Sequence, residues 1–327
     1  MDLTAQTAPL RLRVVTDGRA GIENQALGLA EAIGRLAPAA IDVVRVTWKG
    51  AFDLLPAQLK TPAMLAEGQD ALGPGCDIWI GCGRASLPLA LAARRQPHGP
   101  FVVQIQDPRL PPRLFDLVIA PAHDRLEGDN VFEILGAPHR VTAERLATAA
   151  PAFADRIEAL PRPRIAAMIG GRSKAFDLTQ AHATELGRQI AGAVAAAGGS
   201  LLLTFSRRTP EPAQAALRAA LAETPGWIWD GQGANPLFAF LAAADHVLVT
   251  EDSANMATEA ASTGKPVHLL PMVARRPSPK FARLSEALEA CGAARPFDPA
   301  LPAWTYAPLD ETRRAAAAVL EAFAARG

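Results

Sequence analysis

The stretch VLVTEDSANMATEAASTGKPVHLLP, residues 247–271, places two apolar runs on either side of a polar cluster. Each apolar run is typical of a buried strand. Between them, Ser253 is a typical N-cap for a helix that carries Asn255 and Glu259. A strand, a helix that begins at its carboxyl end and a second strand form the repeating unit of a parallel α/β sheet. The stretch therefore predicts such a sheet with a helix start at one edge, where free N–H groups can hold an anion.

The same alternation of short apolar runs and Ala- and Leu-rich helical stretches extends along nearly the whole chain. In the first half it predicts strands at residues 12–16, 42–46, 77–81, 101–105, 116–120 and 131–135. After residue 163 the pattern restarts and predicts strands at residues 164–171, 200–206, 226–231, 246–250 and 266–271. Strands that alternate with helices predict parallel sheets covered on both faces. We therefore expect an α/β fold with two doubly wound, Rossmann-like domains facing a cleft.

A proline-rich segment separates the two halves. Residues 148–163 contain Pro151, Pro161 and Pro163 and are predicted to be a linker. The N-terminal domain then covers residues 1–147 and the C-terminal domain residues 164–308. A last helix within residues 309–327 has no strand after it, and we expect it to pack back on the N-terminal domain. Because open α/β sheets bind ligands at the carboxyl ends of their strands, a ligand crevice is expected there.

The composition excludes several classes of protein. Of the 327 residues 50% are hydrophobic, and 33 basic residues balance 33 acidic ones, so the formal net charge is zero. A neutral chain lacks the basic footprint of a non-specific nucleic-acid binder. The 3 cysteines have no C-x-x-C spacing, which indicates neither a disulfide framework nor a zinc site. The start lacks a secretory signal and no apolar run reaches bilayer length, which predicts a cytoplasmic protein. Peripheral contact with the inner membrane is compatible with this composition.

Polar side chains follow three predicted strands of the N-terminal domain. The loop TDGRAG after the first strand does not complete a G-x-G-x-x-G dinucleotide fingerprint. A tight turn with a solvated Asp17 explains this loop equally well, and a polar strand end can also be merely solvated. Polar residues at the ends of three strands on one sheet edge nevertheless favour a ligand site. The candidate residues are Asp17, Gly18, Arg19, Asn24, Gln25, Arg84, Gln106 and Asp107. Asn24 and Gln25 are predicted to begin the helix after the first strand, where they favour ligand contact.

The corresponding loops of the C-terminal domain indicate a site for a nucleoside diphosphate. Two glycines followed by cationic side chains suit a diphosphate, and the helix start after Thr250 supplies further N–H groups. Glu259 lies close enough to that start to accept hydrogen bonds from two ribose hydroxyls. A solvated helical glutamate is the alternative. The candidate residues are Gly170, Gly171, Arg172, Ser206, Arg207, Ser253, Ala254, Asn255 and Glu259.

Several of these stretches together resemble a known family. They are VTDGRAGIENQALGLAEAI, QIQDPR, IGGRSKAFDLT, SRRTP and NPLFAFLAAADHVLVTEDSANMATEAASTGKPV. They resemble the mitochondrial fission family named for an elongated-mitochondria phenotype, which is similar in turn to two-domain GT-B glycosyltransferases. The match covers nearly the whole chain. The loop DGRAG has no His where some of these relatives carry one, so the acceptor-side base is not identified by the resemblance.

The resemblance implies a metal-independent glycosyltransferase without a cofactor. Its C-terminal domain binds a nucleotide-sugar donor, expected to be UDP-linked, and its N-terminal domain binds an unidentified acceptor, such as an envelope or lipid-linked molecule. Asp17 is then the first choice for the base that deprotonates the acceptor hydroxyl, and Asp107 is the second. The acceptor-binding candidates are Gly18, Arg19, Asn24, Gln25, Arg84 and Gln106. A non-catalytic scaffold on the same fold and a non-hydrolysing nucleotide-sugar epimerase are the alternatives.

Overall fold

A computed structural model describes residues 8–326 of the chain. These residues divide into two compact units, of which unit 2 is Val141–Leu309. Unit 1 combines the chain up to Arg140 with the chain from Asp310 onward. Residues 1–7 and 327, which the predicted domain boundaries and the signal-peptide argument include, lie outside the described part.

Unit 1 begins with alternating strands and helices. Its elements in chain order are β1 (Leu10–Thr16), α1 (Ala20–Leu36), β2 (Ala39–Arg45), β3 (Thr47–Trp48), β4 (Leu65–Glu67), β5 (Ile78–Cys82), α2 (Leu87–Arg94), β6 (Phe101–Ile105), β7 (Leu117–Pro121) and β8 (Val131–Ile134).

The main sheet of unit 1 has six strands in the order β2-β1-β5-β6-β7-β8, and all neighbouring strands are parallel. The three strands β5, β6 and β7 are buried at every position, because helices or loops cover both faces of the sheet. Strands β3 and β4 form a separate antiparallel pair.

Unit 2 repeats this plan. Its elements are α3 (Ala143–Ala149), α4 (Ala154–Glu158), β9 (Arg164–Ile169), β10 (Phe176–Asp177), α5 (Gln180–Ala196), β11 (Ser200–Phe205), α6 (Glu211–Ala220), β12 (Gly226–Ile228), α7 (Leu237–Ala243), β13 (His246–Thr250), α8 (Ala254–Ala261), β14 (Val267–Leu270), β15 (Val273–Ala274), α9 (Pro279–Ala290) and β16 (Ala294–Pro296).

The main sheet of unit 2 also has six parallel strands, in the order β12-β11-β9-β13-β14-β16. The pair β10 and β15 lies apart from it and is antiparallel. The predicted α/β class with two doubly wound, Rossmann-like domains is confirmed. Helix α9 and the edge strand β16 were not predicted from the sequence. The three residues of β16 carry too little periodicity to be recognised.

The segment predicted to be a linker is helical. Residues 148–163 contain the end of α3, a 3₁₀ turn at Ala150–Phe153 and all of α4. Aromatic contacts tie this segment to unit 2, since Phe153 lies 5.5 Å from Trp227 between ring centroids and Arg156 lies 3.9 Å over the same indole. The boundary between the units consequently lies earlier, between Arg140 and Val141.

The last helix, α10 (Glu311–Arg326), belongs to unit 1. Its apolar side joins the core between α1 and the sheet, where Ala315, Ala316 and Val319 are fully buried. Phe323 packs edge-on against Phe101, with ring centroids 5.8 Å apart. Within residues 8–326, no helix has both the length and the apolar character that crossing a bilayer requires.

Candidate functional site

The strand order of each sheet defines where a ligand can bind. In unit 2 the chain proceeds outward in one direction from β9 to β11 and β12, and in the other from β13 to β14 and β16. The loops that follow β9 and β13 therefore diverge and leave a crevice at the carboxyl edge, which is the usual ligand position in doubly wound sheets. The predicted donor residues lie in these two loops, in the loop after β11 and on α8.

A buried carboxylate fixes the glycine loop after β9. Asp252 Oδ2 accepts a hydrogen bond of 3.1 Å from the Gly171 N–H and pairs with the Arg208 guanidinium at 2.7 Å. Its Oδ1 accepts a 2.6 Å bond from the Thr250 hydroxyl, and the Thr250 Oγ1 in turn accepts a 2.7 Å bond from the Gly170 N–H. The loops after β9, β11 and β13 are thus held in one hydrogen-bonded network.

The two glycines are required by space. A Cβ at Gly170 would lie 1.9 Å from Asp252 Oδ1, and a Cβ at Gly171 would lie 2.1 Å from the Arg208 carbonyl oxygen. Both distances are far below any real contact, so the loop tolerates no side chain at either position. The N–H groups of both glycines already donate to Thr250 and Asp252, so the close approach fixes the position of the loop.

Helix α8 begins at the same edge. Ser253 is its N-cap, as predicted, and its hydroxyl accepts a 3.4 Å hydrogen bond from the Met256 N–H. Ala254 and Asn255 form the first turn, and both are partly exposed. The first N–H groups of a helix carry partial positive charge, so this end of α8 favours an anion.

The cations around this edge fall into two groups. Arg172 and Arg207 are exposed, and within residues 8–326 their guanidinium groups have no hydrogen-bond or ion-pair partner. Arg208 is already paired with Asp252. Ser206, predicted to contact the nucleotide, lies in the turn after β11. Its hydroxyl lies 3.2 Å from the Thr209 hydroxyl and accepts a 3.2 Å bond from the Arg208 backbone N–H.

Glu259 is buried on α8 without a partner. It is 8% exposed, and its carboxylate makes no hydrogen bond or ion pair with any of residues 8–326. Burial raises the pKa of its carboxyl from the ordinary value of 4.5 to about 7. The cause is desolvation by burial, which disfavours the charged form of the carboxyl. Such an isolated group costs folding free energy, and sites of this kind are enriched at functional positions.

The raised pKa of Glu259 predicts a loss of stability with rising pH. Because the folded-state pKa lies above the unfolded one, the stability contribution is complete below about pH 4.5 and is lost as the pH rises through 7. Between pH 5 and pH 8 the ligand-free protein should lose about 2–3 kcal/mol through this residue. Urea unfolding of wild type and Glu259→Gln at both pH values measures the effect. A wild-type-minus-variant difference that does not change with pH would contradict it.

Two Asp-x-Arg turns occupy the carboxyl edge of unit 1. After β1, Asp17 accepts a 3.1 Å bond from the Arg19 N–H and a 2.8 Å bond from the Arg19 guanidinium. After β6, Asp107 accepts a 2.8 Å bond from the Arg109 N–H, and its other oxygen lies 2.8 Å from the Arg109 guanidinium. The two carboxylates make the same side-chain contacts, but the backbone differs, since Arg109 has a φ of 55° and Arg19 a φ of −68°.

The start of α1 differs from the prediction. We expected Asn24 and Gln25 at the beginning of this helix, but it begins at Ala20. The two residues before it are Gly18, which has a positive φ of 73°, and Arg19, which is extended. The two residues consequently lie in the second turn. Gln25 is buried, and its Oε1 accepts a 3.0 Å bond from Gln106 Nε2, so the structure does bring these two predicted residues together.

Four functional candidates were not selected from the sequence. Asp252 and Thr250 organise the glycine loop, Arg208 binds Asp252, and Gln104 lies buried at the end of β6. The signal was present for Gln104, because the alternating QIQ pattern marks both glutamines as unusual in a buried strand. For Asp252 the only signal was its position in a polar cluster, which does not separate a structural from an exposed carboxylate.

Comparison with known proteins assigns the chain to a family. The family model described as mitochondrial fission ELM1 matches residues 20–323. The mitochondrial fission protein ELM1 of Arabidopsis thaliana is 33% identical over 310 residues, which cover 85% of this chain and 71% of that protein. This chain belongs to the mitochondrial fission ELM1 family.

The fold of this ELM1-family protein is shared with nucleotide-sugar enzymes. One match is a protein from Listeria monocytogenes that is described as a UDP-N-acetylglucosamine 2-epimerase. Its TM-score is 0.57 at 14% identity, and the match covers 98% of this chain and 97% of that one. A variant of the Os79 protein of O. sativa in complex with UDP matches with a TM-score of 0.52 at 13% identity, covering 95% of this chain and 94% of that one. At these identities the likeness shows the fold alone, which is the GT-B fold of glycosyltransferases and epimerases.

Proposed function

We propose that this protein transfers a sugar from a UDP-linked sugar to the hydroxyl of an acceptor. The observation that carries the proposal is Glu259, a buried carboxylate without a partner among the described residues. A scaffold gains nothing from such a costly group, whereas a bound ribose would supply two hydroxyl donors for its two oxygens. The presence of UDP in the Os79 complex supports the choice of nucleotide.

The donor is assigned to residues 164–308. In this proposal the diphosphate lies at the start of α8, between the glycine loop after β9 and the free cations. The N–H groups of Ala254 and Asn255 and the guanidinium groups of Arg172 and Arg207 stabilise its negative charge. Glu259 lies six residues after the N-cap, about 9 Å along the helix axis, which matches the distance from a diphosphate to its ribose in order of magnitude.

The acceptor is assigned to residues 1–147. Asp17 takes the proton from the acceptor hydroxyl while the oxygen of that hydroxyl forms a bond to the anomeric carbon of the sugar. The bond from that carbon to the diphosphate oxygen breaks, and the nucleoside diphosphate leaves with the electron pair. Negative charge develops on the leaving oxygen, so the helix start and the arginines act most strongly in the transition state. The acceptor is an envelope or lipid-linked molecule in this proposal.

Both alternatives make different predictions for the same samples. A non-catalytic scaffold, which the fission family name favours, should not bind UDP. An epimerase, which shares the fold, should convert a UDP-linked sugar without any acceptor and release no UDP. Transfer with an acceptor should release one UDP for each sugar moved.

Glu259→Gln tests the donor site. The substitution keeps the volume of the side chain and removes its charge, so hydrogen bonds from the ribose hydroxyls fall to neutral strength. UDP affinity should drop by roughly 1–3 kcal/mol, or about tenfold to a hundredfold, as measured by isothermal titration calorimetry at pH 8. Glu286→Gln, which removes the same charge from an exposed position on α9, is the matched control and should leave the affinity unchanged.

A nucleotide without ribose hydroxyls completes this test. The penalty of Glu259→Gln should nearly vanish for 2′,3′-dideoxy-UDP, which has no hydroxyls to donate. Equal UDP affinity of wild type and variant, or an equally large penalty with the dideoxy compound, would remove Glu259 from the donor site.

A further inference from the structure

A cavity of about 210 Å³ lies in unit 1 at the carboxyl ends of β5 and β6. One wall is the loop from Gly83 to Leu87, and the other is the loop from Gln106 to Leu110. The volume is below the roughly 300–1,000 Å³ that holds a drug-sized ligand, so it suits one ring or one headgroup. All of its lining residues lie in unit 1.

Gln104 lines this cavity with an unpaired oxygen. Its side chain is 1% exposed, and its Oε1 has no hydrogen-bond partner among residues 8–326. The orientation of the amide is fixed by chemistry: its nitrogen lies 3.0 Å from the Ile105 carbonyl oxygen, which can only accept. The free atom is therefore a hydrogen-bond acceptor. Buried carbonyl oxygens are nearly always paired, so an orphan beside a cavity indicates a donor supplied by a ligand.

The neighbouring positions make room for the Gln104 amide. A Cβ at Gly81 would lie 2.8 Å from Gln104 Oε1 and 3.0 Å from the Ser86 hydroxyl oxygen, so the glycine is needed for the amide to stand there. Gln106 adopts a positive φ of 71°, and its amide is held by Gln25 at 3.0 Å. The cavity wall is therefore a fixed arrangement of polar groups.

The rim of the cavity carries one cation that is free for a ligand. Arg109 is paired with Asp107 at 2.8 Å. Arg84 is exposed, and its guanidinium has no partner within the described part of the chain. Guanidinium groups bind phosphate oxygens in a bidentate manner, which makes Arg84 a specific anion contact rather than only a positive charge.

We propose that this cavity is the acceptor subsite and that it takes a hydroxylated ring carrying a phosphate. A ring hydroxyl donates to Gln104 Oε1, and the phosphate binds Arg84 at the rim. The inference rests on the proposed function, because it names the chemical class of the acceptor in that reaction. The ring phosphate can belong to a free sugar phosphate or to a lipid headgroup, which share this chemistry.

Isothermal titration calorimetry on the full chain tests the assignment with three probes. Glucose 1-phosphate should bind at least tenfold more tightly than glucose or inorganic phosphate alone. Gln104→Leu should weaken glucose 1-phosphate at least tenfold and leave inorganic phosphate unchanged, because only the ring contact is lost. Arg84→Gln should weaken both. Arg95→Gln, an exposed arginine at the end of α2, is the matched control and should change neither.

A second measurement avoids the substitution of a buried residue. In the wild-type protein, the side-chain amide resonance of Gln104 should shift on addition of glucose 1-phosphate and should not shift with inorganic phosphate. Phosphatidylcholine vesicles with and without phosphatidylinositol 4-phosphate separate the two sources of the ring phosphate. If the ligand is a lipid headgroup, the protein should bind only the vesicles that contain phosphatidylinositol 4-phosphate. In either case the Gln104 dependence must persist.

The outcomes separate this inference from the proposed function. No binding of glucose 1-phosphate or of the phosphoinositide vesicles, or binding that is indifferent to Gln104, would overturn the acceptor subsite. UDP titration of the wild-type protein is read independently. Loss of UDP binding would overturn the donor site, while the ring-phosphate titration still reports on the cavity.

Discussion

Replacement of Asp252 by alanine should lower the free energy of unfolding by about 3 kcal/mol. The variant leaves the buried Gly171 N–H and the Thr250 hydroxyl without their acceptor, and unpaired buried donors cost about 1–3 kcal/mol each. The loss of the Arg208 pair adds less than a fully buried pair would, because the Arg208 side chain is 41% exposed to water. Urea unfolding at pH 7 measures the change.

A double-mutant cycle makes this prediction specific. Gly170→Ala should be strongly destabilising in the wild type, because its Cβ would meet atoms of the Asp252 side chain within 2.5 Å. In the Asp252→Ala background that space is empty, so the same substitution should cost much less. Gly171→Ala is the matched control, since its Cβ meets the Arg208 backbone and should be equally damaging in both backgrounds.

The same variants connect the glycine loop to the proposed donor site. UDP affinity should fall in Asp252→Ala even under conditions where the protein is folded, because the loop after β9 loses its fixed position. Additive stability changes for the Gly170 and Asp252 substitutions would show that the loop is not arranged as described. Unchanged UDP affinity would place the diphosphate elsewhere.

Replacement of Asp17 by asparagine should lower the rate of sugar transfer by ~10²–10⁴-fold, the usual contribution of a general base. UDP affinity should stay the same, because the donor is assigned to unit 2. Folding should change little, because the Arg19 side chain is 62% exposed and ion pairs open to water contribute about 0–1 kcal/mol, although the Asp17 side chain is only 17% exposed. The measurement is UDP release with an acceptor, compared with UDP binding by calorimetry.

Asp107→Asn is the matched control for Asp17, because both carboxylates lie in Asp-x-Arg turns with the same contacts. Because Asp107 lies in the loop that lines the cavity, its replacement should weaken acceptor binding, but at saturating acceptor it should retain transfer within a few-fold. A large loss in Asp107→Asn alone would assign the base to Asp107, and unchanged transfer in both variants would exclude both carboxylates.

The sequence by itself determined most strands of the two main sheets and their order along the chain. Each main strand except β16 was predicted to within a few residues, because buried parallel strands are continuous apolar runs and the helices between them repeat every 3.6 residues. Ser253 was identified as an N-cap because capping depends only on the next three residues. These features are local, so a single chain segment contains the whole signal.

Only the tertiary structure decided which of these segments meet. The contact between Gly170 and Thr250 joins residues 80 apart in the chain, and it exists because β9 and β13 are neighbours in the sheet. The unpaired oxygen of Gln104 likewise depends on which groups surround the end of β6. Burial in the folded protein raises the pKa of Glu259. A residue's type is written in the sequence, but its partners, its burial and hence its chemistry are set by packing between remote segments.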